Sequence, residues 1–396
     1  MIVIVALAAV AYVSVQGARP APAATISAFV LNGALPGPNP SLSWPSGGEA
    51  ALGVAGMGNL YTHGPQTSTP IASIAKIMTA FVVLRDRPLA SGAPGPEITI
   101  NPAAVTIYHR DKSSGQSVVQ VHAGEQLSER QALEGLLLPS GNNVATILAI
   151  WVSGSVAAFV KEMNATARSF GLSHTHYADA SGVSPSTVST AADQVRLAMA
   201  AMQLPAFRQL VDEPQVELPV AGLQYNVNAL LGTDGIVGVK TGFTPGAGGC
   251  FVFAAKKVVS GHMVTVVGAV LRQRATAVQP SALEAAFSAT TSLLSSAQSR
   301  LEAVPILRPG RPVGVVRAPW SSPIAVDASI SVTLVGLPGL RPEVSVFIPR
   351  RISTPIMGHR EIGVAVVNVG GRPVRVPLVV AGKLPGASFL WRLFDV

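Results

Sequence analysis

The sequence predicts an α/β (α+β) enzyme domain with a helical subdomain over residues 25–297, followed by a small all-β, sandwich-like domain over residues 298–386. Three observations support this division. Strand-like segments lie at both ends of the first region, with helical segments between them. After residue 298, Val- and Ile-rich segments alternate with Pro-Gly turns. A chain of 396 residues also exceeds the usual size of one compact domain.

Local signals place the elements of the first domain. Strand-like residues at 50–54 and 60–62 flank a Gly-rich turn and predict a hairpin, and further strands are predicted at 235–240, 250–256 and 263–271. Apolar residues at helical spacing predict helices at 73–84, 128–138, 143–152, 156–170, 190–203 and 280–294. Ser128 and Gln131 form the capping-box pattern at one helix start. Residues 25–48, rich in Pro, Gly and Ser, are predicted to be an extended lead-in.

The second domain is predicted from short apolar segments at 313–316, 324–335, 343–348 and 363–369. The Gly-Gly pair within residues 368–373 indicates a hairpin turn. Residues 387–396 combine aromatic, apolar and charged side chains and predict a short amphipathic tail. This domain carries none of the candidate catalytic motifs described below.

The N-terminus indicates export. Residues 1–15 are almost wholly apolar, and Ala21-Pro22-Ala23 resembles a small-residue cleavage site, so residues 1–24 are predicted to be a signal peptide. The competing interpretation is a retained anchor, because about 18 helical residues span roughly 27 Å, close to the thickness of a bilayer core. Both interpretations place the rest of the chain outside the cytoplasm, in the cell envelope.

Composition narrows the classes of protein. Apolar residues make up 48% of the chain and charged residues 12%, which favours a large core over general disorder. The formal charge of +8 suits an anionic partner such as acidic lipid or a cell-wall polyanion, whereas scattered basic residues and the lack of a motif argue against nucleic acid. Cys250, the single cysteine, is predicted to be a buried strand residue. His174 and His176 lack a third ligand, so the sequence predicts neither a metal nor another cofactor.

Three short motifs carry the chemistry, and they follow one another in a fixed order: Ser73-Ile74-Ala75-Lys76, Ser140-Gly141-Asn142 and Lys240-Thr241-Gly242. Each motif alone is weak. In this order they match the set found in penicillin-recognising serine acyltransferases. The combination indicates attack on an acyl carbon by a serine, with a lysine as proton carrier.

The first motif pairs a nucleophile with a base. Ser73 and Lys76 are three residues apart at a helix start, so their side chains share one face. A lysine serves as base only when burial or a second cation lowers its pKa, and Lys240 is the candidate second cation. A surface lysine on an ordinary helix is the alternative for this motif taken alone.

The other two motifs add groups for proton relay and substrate binding. Ser140, after Pro139, is placed to relay a proton, and Asn142 offers a donor and an acceptor to a peptide-like substrate. Capping of the helix at 143–152 is the alternative role for this segment. Gly242 permits close approach of substrate backbone, while Lys240 and Thr241 are candidates to bind a terminal carboxylate.

The chain resembles the serine-type D-alanyl-D-alanine carboxypeptidases, the low-molecular-mass penicillin-binding proteins. The resemblance spans about residues 50–290. It includes the segments around the three motifs, residues 167–193 between the second and third motifs, and residues 226–231. The region after residue 298 is similar only in kind, because such enzymes often carry a C-terminal β domain and a membrane-seeking tail.

The resemblance implies a two-step acyl transfer on cell-wall stem peptides, with penicillin and other β-lactams as covalent inhibitors. Ser73 would attack the penultimate D-Ala carbonyl, with Lys76 as base. The backbone N–H groups of Ser73 and Phe243 would form the oxyanion hole. Arg274 is expected to bind the substrate carboxylate, with Arg272 as its rival.

Three alternatives remain at this point. A class A β-lactamase shares the motifs, but residues 143–239 lack the E-x-x-L-N-type segment that supplies its deacylating Glu. A D,D-endopeptidase that cuts peptidoglycan crosslinks has the same motifs. A non-catalytic cell-wall-binding protein belongs to another class, and the intact Ser73, Lys76 and Lys240 argue against it.

Overall fold

The computed structural model describes residues 2–20, 22–29, 31 and 33–394, which form two units. The larger unit comprises Pro38–Ala55 and Asn59–Glu302. The other, here called the β unit, comprises the described residues of Met1–Gly37 together with Gly56–Gly58 and Ala303–Val396. The predicted boundary at 297 is close to the observed one, but the larger unit begins at Pro38 rather than at residue 25.

The helices alternate with the strands along the larger unit. The helices are α1 Ile2–Ala18, α2 Lys76–Asp86, α3 Pro102–Ser113, α4 Glu129–Leu137, α5 Asn142–Ser153, α6 Val156–Ser169, α7 Ala191–Ala201, α8 Pro205–Val211, α9 Ala282–Gln298 and α10 Phe389–Phe394, with short 3-10 turns at Ala72–Ala75 and Thr233–Gly235. The strands are β1 Ala24–Ala28, β2 Glu49–Val54, β3 Tyr61–His63, β4 Thr69–Pro70, β5 Glu97–Thr99, β6 Gln126–Ser128, β7 Val188–Ser189, β8 Gln215–Leu218, β9 Gly222–Tyr225, β10 Ile236–Thr244, β11 Gly248–Val259, β12 His262–Gln273, β13 Glu302–Leu307, β14 Pro312–Ala318, β15 Ser321–Ala328, β16 Val332–Gly336, β17 Val344–Phe347, β18 Arg351–Ile352, β19 Glu361–Val369 and β20 Arg372–Val380.

A five-stranded antiparallel sheet organises the larger unit, in the order β10-β11-β12-β2-β3. Its long strands are covered on both faces, so their residues are buried in continuous runs. Along β11, Val252 and Ala254 belong to the core that includes Ile74 of the turn before α2. Phe251 points to the opposite face and meets Phe287 of α9 at 5.3 Å between ring centroids. The sheet therefore separates α9 from the helices on the side of α2.

The helical part of this unit follows the predicted helices closely. The capping box is present, because Ser128 Oγ accepts a hydrogen bond from the Gln131 N–H and Gln131 Oε1 accepts one from the Ser128 N–H. The helix predicted at 73–84 differs at its start. Its first residues form the 3-10 turn Ala72–Ala75, and α2 begins only at Lys76.

The β unit contains a seven-stranded sheet in the order β17-β19-β20-β15-β14-β1-β18 and a two-stranded pair of β13 and β16. The predicted hairpin at 368–373 joins β19 to β20. Strand β1 lies between β14 and β18, with Thr25 opposite both Arg317 and Arg351. The structure therefore corrects the predicted lead-in, since residues 24–28 pair with the C-terminal sheet. The alternating burial of Ala24 and Ile26 is the local reason.

Both ends of the chain form helices in the β unit. Tyr12 Oη of α1 donates a hydrogen bond to the Leu393 carbonyl of α10 at 3.5 Å. In α10, Phe389, Leu390 and Phe394 are exposed while Leu393 is buried, as expected for the predicted amphipathic tail. Ala21 of the predicted cleavage site and the last two residues of the tail lie outside the described residues.

Within the described ranges, no single helix is long and apolar enough to cross a membrane. Helices α5 and α6 reach the required length only as a pair bent by 86°.

The division into two units predicts that residues 38–302 fold without the rest of the chain. We expect this fragment to unfold in one cooperative thermal transition, because its hydrophobic core is contained within those residues. A fragment of residues 25–297 is the matched comparison, because it retains β1 without the sheet that pairs with it and should associate more readily. Circular dichroism melts and light scattering test both. A gradual, non-cooperative melt of the 38–302 fragment would contradict the division.

Candidate active site

Ser73 and Lys76 meet at the start of α2. Ser73 lies in the 3-10 turn Ala72–Ala75, and the Lys76 side chain, which opens α2, is fully buried. Lys76 Nζ lies within hydrogen-bonding distance of four oxygens: Ser73 Oγ at 2.8 Å, Asn142 Oδ1 at 2.5 Å, Ser181 O at 3.2 Å and Ser140 Oγ at 3.3 Å. The first two motifs are therefore joined at one amine.

Burial determines the charge state of this amine. It lowers the pKa of Lys76 well below the usual value, and the positive charge of Lys240 lowers it further, while Asp179 opposes both effects. Burial also lowers the pKa of Lys240, to about 7. A lysine with such a pKa is partly neutral near neutral pH, so Lys76 is able to accept a proton from Ser73.

The second motif occupies the turn between α4 and α5. Ser140 adopts a left-handed backbone conformation (φ 67°), which is costly for a residue with a side chain and is found at functional sites. Its hydroxyl reaches Lys76 across 64 residues of sequence. The capping alternative is not observed, because Gly141 is the residue that caps α5 and no side chain bonds to its free N–H groups.

Asn142 is more enclosed than the sequence suggested. Its Oδ1 faces Lys76, its Nδ2 donates to Gln116 Oε1 at 2.9 Å, and its backbone N–H donates to the Ser117 carbonyl. The structure therefore ties both polar atoms of this amide to protein groups. A role for Asn142 in holding Lys76 has direct contacts behind it.

The third motif runs along the edge strand β10, beside the serine. A Cβ added to Gly242 would lie 3.0 Å from the Ile71 carbonyl oxygen and 3.1 Å from the Ser73 nitrogen, so only glycine lets the strand come this near. Lys240 and Thr241 are buried, and Lys240 Nζ donates to the Thr241 carbonyl at 3.3 Å. Phe243, the next residue, is 55% exposed and borders the accessible side of the site.

Arg274 lies beside this strand rather than at the Ser73–Lys76 pair. Its Nη1 donates to the carbonyl oxygen of Pro245, which directly follows β10, at 3.1 Å. Its side chain is exposed, and it forms no ion pair with any residue that the structure describes. Cys250 is fully buried on β11, and burial raises the pKa of its thiol to about 12, as expected for a core residue.

Asp179 is a residue that the sequence analysis did not single out. Its carboxylate accepts hydrogen bonds from the loop that follows it: Ser181 Oγ, Gly182 N, Val183 N, Ser184 N and Thr187 Oγ1. These bonds fix the loop that presents the Ser181 carbonyl to Lys76. Ser-Gly after an Asp was the local signal, because such residues favour a side chain bonded to its own turn.

The same loop packs directly against the turn that carries the serine. Gly182 has φ +84°, and a Cβ there would lie 1.8 Å from the Ala72 carbonyl oxygen. Any larger residue at 182 would displace either the loop or the 3-10 turn. Asp179 and Gly182 therefore position Lys76 and Ser73 relative to each other.

A buried lysine beside a serine, with a second serine and a second lysine around them, defines a serine hydrolase that works through an acyl-enzyme. Residues 57–271, more than half of the chain, match the family model described as D-alanyl-D-alanine carboxypeptidase. The chain belongs to this family of serine peptidases, and the resemblance seen in the sequence is confirmed.

Individual relatives agree with this assignment. A D-alanyl-D-alanine endopeptidase from Pseudomonas aeruginosa is 37% identical over 201 residues, which cover 49% of this chain and 61% of that protein. A D-alanyl-D-alanine carboxypeptidase from a Streptomyces species is 34% identical over 244 residues, or 56% of this chain and 80% of that protein. The chain thus spans less than two thirds of the first of these relatives.

A solved structure extends the comparison to the fold. Penicillin-binding protein 5 from Haemophilus influenzae matches with a TM-score of 0.62 and 21% identity, over 88% of this chain and all of that one. This confirms the predicted fold class, including the all-β C-terminal region.

Proposed function

We propose that this protein is a serine D,D-carboxypeptidase that removes the terminal D-Ala from peptidoglycan stem peptides. The observation that carries the proposal is the 2.8 Å contact between Ser73 Oγ and the Nζ of a fully buried Lys76. Burial keeps part of this amine neutral, which the deprotonation of an aliphatic hydroxyl requires. Family membership supplies the class of substrate.

Acylation follows from this geometry. Neutral Lys76 takes the hydroxyl proton as Ser73 Oγ attacks the carbonyl carbon of the penultimate D-Ala. The N–H groups of Ser73 and Phe243 stabilise the resulting oxyanion. Ser140 passes the proton from Lys76 to the leaving amine, and D-Ala departs as the C–N bond breaks. An ester between Ser73 and the shortened peptide remains.

Deacylation uses the same groups in reverse. Neutral Lys76 takes a proton from water, the hydroxyl adds to the ester carbon, and the C–O bond to Ser73 breaks. The proton returns to Ser73 Oγ, and the product leaves as a carboxylic acid that ionises. A β-lactam follows only the first of these steps efficiently, which accounts for covalent inhibition.

The substrate carboxylate has three candidate partners: Lys240, Thr241 and Arg274. Lys240 lies on the strand that borders Ser73, and an incoming carboxylate favours its protonated form. The bond from Arg274 to the turn after β10 keeps its guanidinium near the end of that strand.

A D,D-endopeptidase is the second candidate, favoured by the Pseudomonas aeruginosa relative of that name. The two activities differ only in what the leaving amine carries: free D-Ala, or the side chain of a neighbouring stem peptide. Mass spectrometry of products from a stem pentapeptide and from a crosslinked dimer distinguishes them. Release of D-Ala supports the proposal, whereas cleavage of the dimer alone supports the endopeptidase.

The substrate also sets the proposed location. Peptidoglycan lies outside the cytoplasmic membrane, so the enzyme acts in the cell envelope, as the apolar N-terminus suggested. The exposed apolar residues of α1 and α10 support contact of the β unit with a membrane surface. Flotation of the full chain with lipid vesicles tests this contact.

Asp179→Asn is expected to move the pH dependence of penicillin acylation toward lower pH. The Asp179 carboxylate raises the pKa of Lys76, so removing its charge lowers that pKa further and leaves more neutral amine at a given pH. The maximal rate should fall, because an amide cannot accept all of the loop's hydrogen bonds. Asp234→Asn is the matched control, since Asp234 lies in the exposed turn before β10. An unshifted profile with a lowered rate would reduce Asp179 to a purely structural role.

A further inference from the structure

A polar groove lies on the α9 side of the central sheet. It has a volume of about 530 Å³ and runs between residues 43–48 and one side of α9, with the end of β12 as its floor. The Ser43 N–H donates to Ser296 Oγ of α9, which ties the two walls together at one end. Because the sheet separates α9 from α2, the groove is distinct from the site around Ser73.

Two arginines reach this groove through an irregularity in β12. Arg272 has φ +60°, an unusual conformation for a residue with a side chain, and the pairing of β12 with β11 shifts register at the same place. Such a bulge redirects neighbouring side chains. Gln273 is buried and donates to the Gly47 carbonyl, while Arg272 and Arg274 on either side are exposed and line the groove.

The positive charge of the groove is not neutralised by the protein. In the part of the chain that the structure describes, neither arginine forms an ion pair, and the residues lining the groove include no Asp or Glu. Backbone strain at Arg272 combined with two unpaired guanidinium groups indicates a ligand that carries negative charge.

The remaining lining suits a flat, hydroxyl-rich ligand. Trp44 is held by stacking on His63, at 5.5 Å between centroids and 7° between planes. Indole presents a broad apolar surface with one donor. Hydroxyl and amide groups line the rest of the groove: Ser43, Ser46, Thr276, Gln279 and Ser292.

We propose that this groove binds a carboxylate-bearing segment of the peptidoglycan strand, outside the D-Ala-D-Ala end that reaches Ser73. The guanidinium groups of Arg272 and Arg274 pair with the carboxylate, Trp44 lies against a sugar ring or peptide plane, and the hydroxyl groups bond to the remaining polar atoms. The inference rests on the proposed function. It makes the enzyme bind polymeric substrate at two places, so a short peptide uses only one of them.

The test separates the groove from the catalytic site by blocking the latter. The full chain is acylated with penicillin, and binding of a purified disaccharide-tetrapeptide is measured by calorimetry. We expect binding to the acylated protein, weakened when the ligand's carboxyl groups are amidated. Absence of binding to the acylated protein would overturn the proposal.

Variants then locate the binding. Arg272→Gln removes one charge, and Ser288→Trp fills the groove from the exposed face of α9. Each should weaken binding by about tenfold or more, as expected for loss of a charge-assisted pair or of the space itself. Arg168→Gln removes an exposed arginine of α6 and should bind as the wild type does. Equal affinity of the groove variants and wild type would exclude the groove as the site.

Penicillin labelling keeps the two proposals apart. If penicillin does not acylate Ser73, the proposed function fails by itself. The groove is then tested by the same calorimetry on the unacylated chain, where Arg272→Gln and Ser288→Trp must still lower the affinity. Unchanged affinity there would overturn the groove independently of the chemistry at Ser73.

Discussion

Ser73→Ala abolishes covalent labelling by penicillin and lowers peptide turnover by a factor on the order of 10⁶, the loss seen when another serine hydrolase loses its nucleophile. Ser73 Oγ is the hydroxyl held 2.8 Å from the buried Lys76 amine at the start of α2. Methyl in place of hydroxyl removes the bond-forming atom and leaves the packing of the 3-10 turn unchanged. Labelling with a fluorescent penicillin, read on a denaturing gel, measures the first effect.

Two further variants make this result specific. Ser113→Ala, at the exposed end of α3, should label as the wild type does. Ser140→Ala should still label, but more slowly, because Ser140 is assigned a relay and not the attack. Persistent labelling of Ser73→Ala would move the nucleophile elsewhere, and loss of that labelling in the double variant would assign it to Ser140.

Lys76→Arg should be nearly as damaging as Lys76→Ala, with acylation slowed by about 10²–10⁴-fold, the usual contribution of a general base. Arginine retains a positive charge but does not lose its proton in a protein, so it cannot accept one from Ser73. Its planar fork also does not fit the four oxygens that surround Lys76 Nζ. Stopped-flow acylation by a chromogenic β-lactam gives the rate.

Lys112→Arg is the matched control, because Lys112 lies exposed on α3 and should tolerate the change. A thermal melt of each variant separates loss of chemistry from loss of fold. If Lys76→Arg acylates at close to the wild-type rate, Lys76 acts through its charge and the base must be another group.

Much of the site could be predicted because its signals are local. A serine and a lysine three residues apart share a helix face in almost any context. Pro139 and Gly141 mark a sharp turn around Ser140, and Gly242 marks a strand that approaches another backbone. Each of these residues lies where the structure needs its particular backbone freedom or restriction.

What could not be predicted depends on contacts distant in sequence. Asp179 acts by bonding a loop whose carbonyl meets Lys76 more than a hundred residues away, and no local pattern shows that partner. Asn142 was predicted to face the substrate, but its amide bonds to Lys76 and Gln116 instead. The redirected arginines of the groove depend on a bulge in strand pairing, which is a property of two strands together.

The position of β1 has a consequence for how the molecule is made. Thr25 leaves the ribosome early, whereas Arg317, to whose carbonyl its side chain bonds, is 292 residues further along the chain. The backbone groups of β1 therefore stay unpaired while the larger unit is synthesised and exported. We expect the larger unit to fold first and the seven-stranded sheet to close last and slowly, since distant pairings form late. Until that closure, a nascent or truncated chain carries a free strand edge that a chaperone must shield from other chains.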